Sequence, residues 1–281
     1  MKLLILLFLF CISCSDSKKQ TIQKTENISN PNELNSENIN TNKISNNFKT
    51  ENLKFTYELI DEIPHDTEAY TQGLIFYNNF LYESTGQYGK SSLRKLNPKT
   101  GKIEMKISVG FIYFAEGIEV YNDKIYLLTW KNNLCKVFDI NTFKEVDEKR
   151  YAGEGWGLCY ANNKFYLSNG SNKIQILESD SFLPIDQFPL NDLDGFALYD
   201  INELEFAKGY IFANLWMKDK IAVIDINSRS LLKIIDFSEL RNRLGNKRNA
   251  EVMNGIAYDK NEDVFYITGK YWDKVFKVKI K

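Results

Sequence analysis

From Leu53 onward, apolar and polar residues alternate in short runs that end at clusters of Asn, Asp, Gly and Lys. Period-two alternation puts successive side chains on opposite faces of an extended chain, so these runs read as strands. Apolar spacing of three and four, the mark of an amphipathic helix, is nearly absent. The runs also resemble one another. Gln72–Tyr82, Glu116–Tyr126 and Trp156–Tyr166 align residue for residue as strand, polar turn, strand. Asn202–Phe212 and Asn254–Tyr266 are a fourth and a fifth copy. Further strands follow each copy, among them Lys136–Ile140 and Ala222–Ile226. An interval of about 40–50 residues suits one four-stranded sheet per repeat, which is the blade of a β-propeller. Five copies predict five blades in an all-β fold.

The fifth copy has only three strands before Lys281, which leaves a sheet edge to be covered. Phe55–Ile60 precedes the first repeat and has no partner within it. It is expected to supply the outermost strand of the last blade and so close the ring.

In a propeller the first strand of each blade is innermost. The leading residues of the aligned copies, Gln72, Glu116, Trp156, Asn202 and Asn254, are therefore expected in a ring at one mouth of the central channel. The position four residues past the aligned Tyr or Phe of the second strand holds Gly86, Trp130, Gly170, Trp216 and Lys270, and flanks the same mouth. Phe114, two residues before Glu116, joins them. A ring of buried polar groups is costly unless water or a ligand satisfies it. Three indoles and one ammonium thus gather about a single carboxylate.

The chain's start has another character. Met1-Lys2 and the apolar run Leu3–Phe10 are too short for a membrane span and read as an export signal. Ile12-Ser13-Cys14 looks like a bacterial lipoprotein processing site, with Cys14 the lipidated residue; Cys11 is atypical there and leaves ordinary cleavage open. Residues 15–52 are rich in Asn, Ser, Lys, Thr and Glu without apolar period, too polar to offset the entropy of ordering. The organisation expected is a signal and lipidation site over 1–14, a disordered tether over 15–52 and a catalytic propeller over 53–281. That places the protein outside the cytoplasm, in the periplasm or at the cell surface, held to a membrane by its lipid.

Composition narrows the chemistry. Lys and Arg number 36 against 37 Asp and Glu, a formal net charge of −1, which gives no reason to expect nucleic acid as a partner. Aromatic residues are 14% of the chain, as suits strands. There is one histidine, His65, so no multi-imidazole metal site can be built, and acid–base work falls to carboxylates, Lys or Tyr. His65 itself reads as a turn or strand-end residue. Cys135 and Cys159 sit in strand-like runs and read as buried free thiols.

The segments His65–Leu74, Phe114–Ile118, Gly153–Leu158, Ala213–Trp216, Asn254–Tyr258 and Thr268–Trp272 resemble, in order and in every blade, the plant- and bacterial-type glutaminyl-peptide cyclotransferases. The resemblance covers about 55–281. It implies a five-bladed propeller that converts the N-terminal glutaminyl residue of a peptide into pyroglutamate and releases ammonia. It implies no cofactor and none of the zinc used by the unrelated animal-type enzyme. By the same resemblance Glu116 is the acid/base, Gln72, Asn202 and Lys270 are polar binding groups, and Phe114, Trp130, Trp156 and Trp216 are apolar walls. Lys270 and the Asn202 or Gln72 amide would stabilise the developing oxyanion. Tyr70 stands where Phe is usual in the family, at the pocket rim.

Two other classes remain open on the residues alone. Glu116, Asn202 and Asn254 are oxygen-bearing, so a Ca²⁺-dependent propeller lactonase is conceivable, although Lys270 would repel the ion. A non-catalytic propeller that binds a partner on its face uses the same fold. No oligomer is needed to complete such a ring, and a monomer is expected.

Overall fold

The structure, a computed structural model, describes residues 55–281. The signal, Cys14 and the tether lie outside the described residues. The alternating runs fold into five four-stranded antiparallel sheets. β1 (Tyr57–Pro64) comes first in the chain but belongs to the last sheet. The first blade is β2 (Thr71–Tyr77), β3 (Phe80–Thr85), β4 (Ser92–Leu96) and β5 (Ile103–Ser108). The second is β6 (Ala115–Tyr121), β7 (Lys124–Thr129), β8 (Leu134–Asp139) and β9 (Glu145–Arg150). β10 (Leu158–Ala161), β11 (Lys164–Leu167), β12 (Lys173–Glu178) and β13 (Pro184–Pro189) form the third. The fourth is β14 (Ile201–Ala207), β15 (Tyr210–Leu215), β16 (Lys220–Asp225) and β17 (Ser230–Asp236), followed by a short helix, α1 (Ser238–Asn242). β18 (Met253–Asp259), β19 (Val264–Gly269) and β20 (Lys274–Ile280) complete the chain.

The hairpins explain the Asn-rich turns. Asn78-Asn79, Asn122-Asp123 and Asn162-Asn163 all have positive φ at both positions. A two-residue turn of that kind matches the right-handed twist of its strands, and Asn and Asp enter it at least strain. Between blades the two faces of each inner strand pack oppositely. Leu74 faces Ala257 and Tyr266 of the last blade, while its neighbour Ile75 packs with Ile118 and Leu127 of the second. One apolar cluster of this kind fills each of the five junctions. Cys135 and Cys159 lie in two of them as buried free thiols, which burial pushes well above the ordinary thiol range.

Closure follows the sequence expectation. β1 runs antiparallel to β20 from Tyr57 opposite Ile280 to Pro64 opposite Lys274. Thr56 and Lys281 exchange both backbone hydrogen bonds beyond it. The chain then turns His65 into the seam between the last blade and the first. Its Nδ1 lies 2.9 Å from the Trp272 carbonyl and its Nε2 2.9 Å from Glu83 Oε1. Both partners are acceptors, so the doubly protonated imidazolium satisfies them. Glu83 also accepts from Thr71 Oγ1 at 2.7 Å and lies 3.5 Å from Arg94, which reaches Asp66. Burial alone would lower the His65 pKa, but the Glu83 charge and hydrogen bond overcome it and leave it raised. Burial likewise opposes ionisation of Glu83, yet His65 and Arg94 hold its carboxyl below the ordinary value.

The pair therefore stabilises the fold most between the two titrations. Its His65 share is complete below about pH 6.5 and fades as pH rises through the raised native value. The Glu83 share fades as pH falls through its depressed one. His65→Ala is expected to lower unfolding free energy near pH 6 by about 3 kcal/mol, the low end for breaking a buried pair because Arg94 remains. Urea denaturation of both proteins across pH 5–9 should show the difference shrinking at the alkaline end; a constant difference would mean that only packing was lost.

Candidate active site

The expected ring forms, and a slip in strand pairing makes it. The register of the inner strands shifts between Thr71 and Gly73, between Ala115 and Ile118, between Ile201 and Leu204, and between Met253 and Ile256. Gln72, Glu116, Asn202 and Asn254 occupy those irregularities. A bulge frees a residue from the ladder and re-aims its side chain. In the third blade β10 starts later, and Trp156 precedes it with its N–H donated to the Ser168 carbonyl.

Glycine after the ring residue lets neighbouring strands close on the axis. A Cβ on Gly73 would sit 2.6 Å from the Ile118 nitrogen, and one on Gly157 2.2 Å from the Asn202 carbonyl oxygen. Side chains of the second strands pin the ring from behind. Ser84 donates to the Glu116 carbonyl and Ser168 to the Asn202 carbonyl.

A cavity of about 280 Å³ opens at this mouth. Phe114 meets Trp130 edge-on with centroids 5.5 Å apart, and Trp156 meets Trp216 in the same manner at 5.8 Å. Two positions expected beside the mouth are glycines for a reason. A Cβ on Gly86 would strike Phe114 at 2.2 Å, and one on Gly170 would strike Trp156 at 2.5 Å. The rings of these two walls lie directly on the backbone of the flanking loops. Gln72, Glu116, Asn202 and Lys270 supply the polar lining, each at most 4% exposed.

Electrostatics sets the acid apart. Burial pushes the Glu116 carboxyl well above the usual carboxylate range, Lys270 draws it back, Glu154 pushes it further and a Gln72 hydrogen bond lowers it. Burial also lowers the Lys270 ammonium, against the support of Glu116 and Glu251. The Lys270 Nζ lies 4.5 Å from the centre of the Tyr70 ring, a cation–π contact that partly replaces its hydration. Asn202 Oδ1 is buried with no hydrogen-bond partner, a costly state for a polar atom.

Eight of the nine residues expected in the propeller site line this cavity: Gln72, Phe114, Glu116, Trp130, Trp156, Asn202, Trp216 and Lys270. Asn254, also expected there, is not among the lining residues. Its bulge aims the amide at the first blade, where it donates to the carbonyls of Thr71 at 3.2 Å and Gln72 at 3.0 Å. It holds Gln72 in place. Tyr70 is a full wall rather than a rim residue, edge-on to both Phe114 and Tyr271, with its hydroxyl pushed up to about 12 by burial and the nearby Glu251 charge. Glu154 escaped the sequence reading. A single oxygen, Oε2, accepts from Trp130 Nε1 at 2.7 Å and from Trp156 Nε1 at 3.0 Å, tying two walls together. Its one sequence signal is an acid flanked by Gly153 and Gly155 ahead of Trp156.

Deeper in the channel the inner strands present edges without ladder partners. Carboxylates satisfy some of these groups. Glu203 accepts from Leu74 N and Ile256 N, and Glu119 from Tyr160 N and its own neighbour Val120 N. Burial raises the Glu119 carboxyl to about 8 and the Glu203 and Glu205 carboxyls well above their usual range. None of the three lines the cavity. Among the described residues no three His, Cys, Asp or Glu side chains are grouped as a metal site.

Comparison with known proteins agrees on family and fold. The family described as glutamine cyclotransferase matches residues 20–280. A glutaminyl-peptide cyclotransferase of Arabidopsis thaliana is 33% identical over 228 residues, 80% of this chain and 71% of that protein. The crystal structure of Myxococcus xanthus glutaminyl cyclase superposes with a TM-score of 0.75 at 33% identity, covering 80% of this chain and 97% of that one.

Glu154→Gln keeps an acceptor for the indoles but removes the charge that disfavours ionisation of Glu116. The Glu116 carboxyl should then titrate at lower pH, followed by ¹³C NMR of the side chain with Glu116→Gln as the assignment control. An unmoved midpoint would show that the Glu154 field does not reach the cavity.

Proposed function

The chain belongs to the glutamine cyclotransferase family, and from that premise we propose how the cavity converts the N-terminal glutaminyl residue of a peptide into pyroglutamate. The carrying observation is Glu116: among the described residues it is the one acid lining an aromatic cavity, with Lys270 as the one cation there.

The reaction moves an acyl group within one residue. The α-amine attacks the side chain's carbonyl carbon, a C–N bond closes the five-membered lactam, and the original C–NH₂ bond breaks. Tethering supplies the proximity, so the site has only to select the folded-back rotamer and keep water out. Phe114, Trp130, Trp156 and Trp216 suit that task by shape.

Two protons remain to be moved. The attacking amine must lose one and the departing NH₂ must gain one, since an amide anion is a very poor leaving group. Glu116 takes the first as a base and returns it as an acid. A carboxyl raised by burial is better matched to both steps near neutral pH than an ordinary one. As the carbonyl becomes tetrahedral its oxygen gains charge, next to Lys270 and the Gln72 and Asn202 amides. The unpartnered Asn202 Oδ1 is free to accept from the substrate amide or amine.

The chain's own start adds a cellular setting on sequence grounds alone. Export and a lipid on Cys14, with 15–52 as a tether, would hold the propeller outside the cytoplasm at a membrane surface. Closure of the ring within one chain supports a monomer. Membrane fractionation of Cys14→Ala should find the protein released into the soluble fraction.

Glu116→Gln is expected to abolish nearly all pyroglutamate formation from a Gln-initiated dipeptide while the thermal unfolding profile is retained. Lys270→Ala should lower kcat by about 10²–10³ with a smaller change in KM, as for loss of one oxyanion donor. A rise in KM alone would assign Lys270 to ground-state binding. Activity should survive EDTA; inhibition that Ca²⁺ reverses would favour the lactonase-like reading instead.

A further inference from the structure

The propeller's two faces differ in a way the chemistry of one residue does not require. On the face away from the site, the turns between first and second strands are polar: Asn78-Asn79, Asn122-Asp123, Asn162-Asn163 and Lys208-Gly209. On the face with the mouth, the loops carry large apolar side chains in the open. Phe111 is 81% exposed, Phe196 72% and Met217 67%, with Ile112 and Tyr88 also more than half exposed. Scattered apolar residues are ordinary on a surface, but concentration around one opening marks a binding region.

Phe111, Tyr88 and Met217 form two shoulders. The first stands over the junction of the first and second blades. There the Gly89 N–H donates to the Phe111 carbonyl, the Phe111 ring lies against Gly89, and Tyr88 sits edge-on to the cavity wall Phe114 at 5.5 Å. The second stands over the fourth blade, where Met217 extends the wall made by Trp216. Its turn is fixed by the Trp216 N–H on the Asp200 carbonyl and by a left-handed φ of 62° at Met217. In a ring of five, the fourth blade lies opposite the junction of the first and second. Each shoulder is continuous with a wall of the cavity, and the mouth runs between them.

Resting on the cyclotransferase reading of the cavity, we propose that the two shoulders are a subsite for the residues that follow the N-terminal glutamine, and that it favours apolar side chains at the second and third positions. The occupant follows from the reaction. With the first residue held in the cavity, the rest of the peptide must leave through this mouth. An extended chain advances about 3.3 Å per residue and sends successive side chains to opposite sides. The second and third side chains are thus delivered one to each shoulder. Burying part of a Leu or Phe there is worth roughly tenfold in affinity.

Three substrates separate the readings: glutaminyl amide, which has nothing downstream, Gln-Ser-Gly amide and Gln-Leu-Phe amide. The native protein should process the apolar peptide with kcat/KM about tenfold above the polar one, mainly through KM. The double variant Phe111→Ser/Met217→Ser alters two exposed side chains outside the cavity lining. It should bring that ratio close to one and leave glutaminyl amide turnover unchanged. Equal turnover of the two peptides by the native protein overturns the subsite. So does an equal loss on all three substrates. A double variant that keeps the preference but loses self-association in sedimentation, or loses flotation with lipid vesicles, assigns the face to a second copy or a membrane and also overturns it. No product from glutaminyl amide itself would instead overturn the cyclotransferase reading.

Discussion

Inner strands of five blades can meet around one axis only where side chains leave room, and the absence of a Cβ at Gly73, Gly117 and Gly157 makes that room. Any side chain there would meet backbone of the next blade at well under contact distance. The constraint has chemical consequences. Strands drawn this close cannot keep a regular ladder at their heads, so the register slips beside the glycines. The slip turns Gln72 and Glu116 out of the sheet and into the mouth. Site and scaffold are thus two results of one steric requirement.

The same convergence creates a solvation problem that the chain meets with carboxylates. The innermost edges cannot pair with another strand, and water is largely excluded. Glu203 and Glu119 accept from backbone N–H groups of other blades, which joins the blades at the axis as well as satisfying the donors. Where the fourth repeat has Glu203, the other four have glycine after the ring residue, and this one departure spans the channel. Glu116 differs from these acids by facing a cavity that a substrate can enter. Its environment is apolar on the walls, cationic at Lys270 and anionic at Glu154, and the balance holds its proton more tightly than an ordinary carboxyl does. The aromatic walls serve both ends, excluding water and raising that carboxyl.

Repeats, blade number and the Velcro-like closing strand were legible because they depend on local rules. Period two selects strands, paired Asn and Asp select tight hairpins, and an unpaired third strand demands a fourth. Most of the cavity lining was legible for a related reason: in a symmetric fold, equivalent positions converge. Asn254 shows where that inference stops. Equivalence fixes where a Cα lies but not where a bulged side chain points, and its amide was drawn to the carbonyls of Thr71 and Gln72. Glu154 shows the converse. It occupies no repeat position, and only the meeting of two indoles from different blades reveals it.

The amino-acid order alone determined that this chain makes five sheets, where each begins, and which residue types share a ring. It also determined the family, through short segments spread in order across every blade. What it left undecided was set by long-range contact. The protonation poise of Glu116, the coupling of Trp130 to Trp156 through one carboxylate oxygen, and the locking of His65 between Glu83 and the Trp272 carbonyl all join residues far apart in sequence. Strand patterns are local because backbone geometry is local. Desolvation and charge are not, because they depend on everything that surrounds a group once the ring has closed.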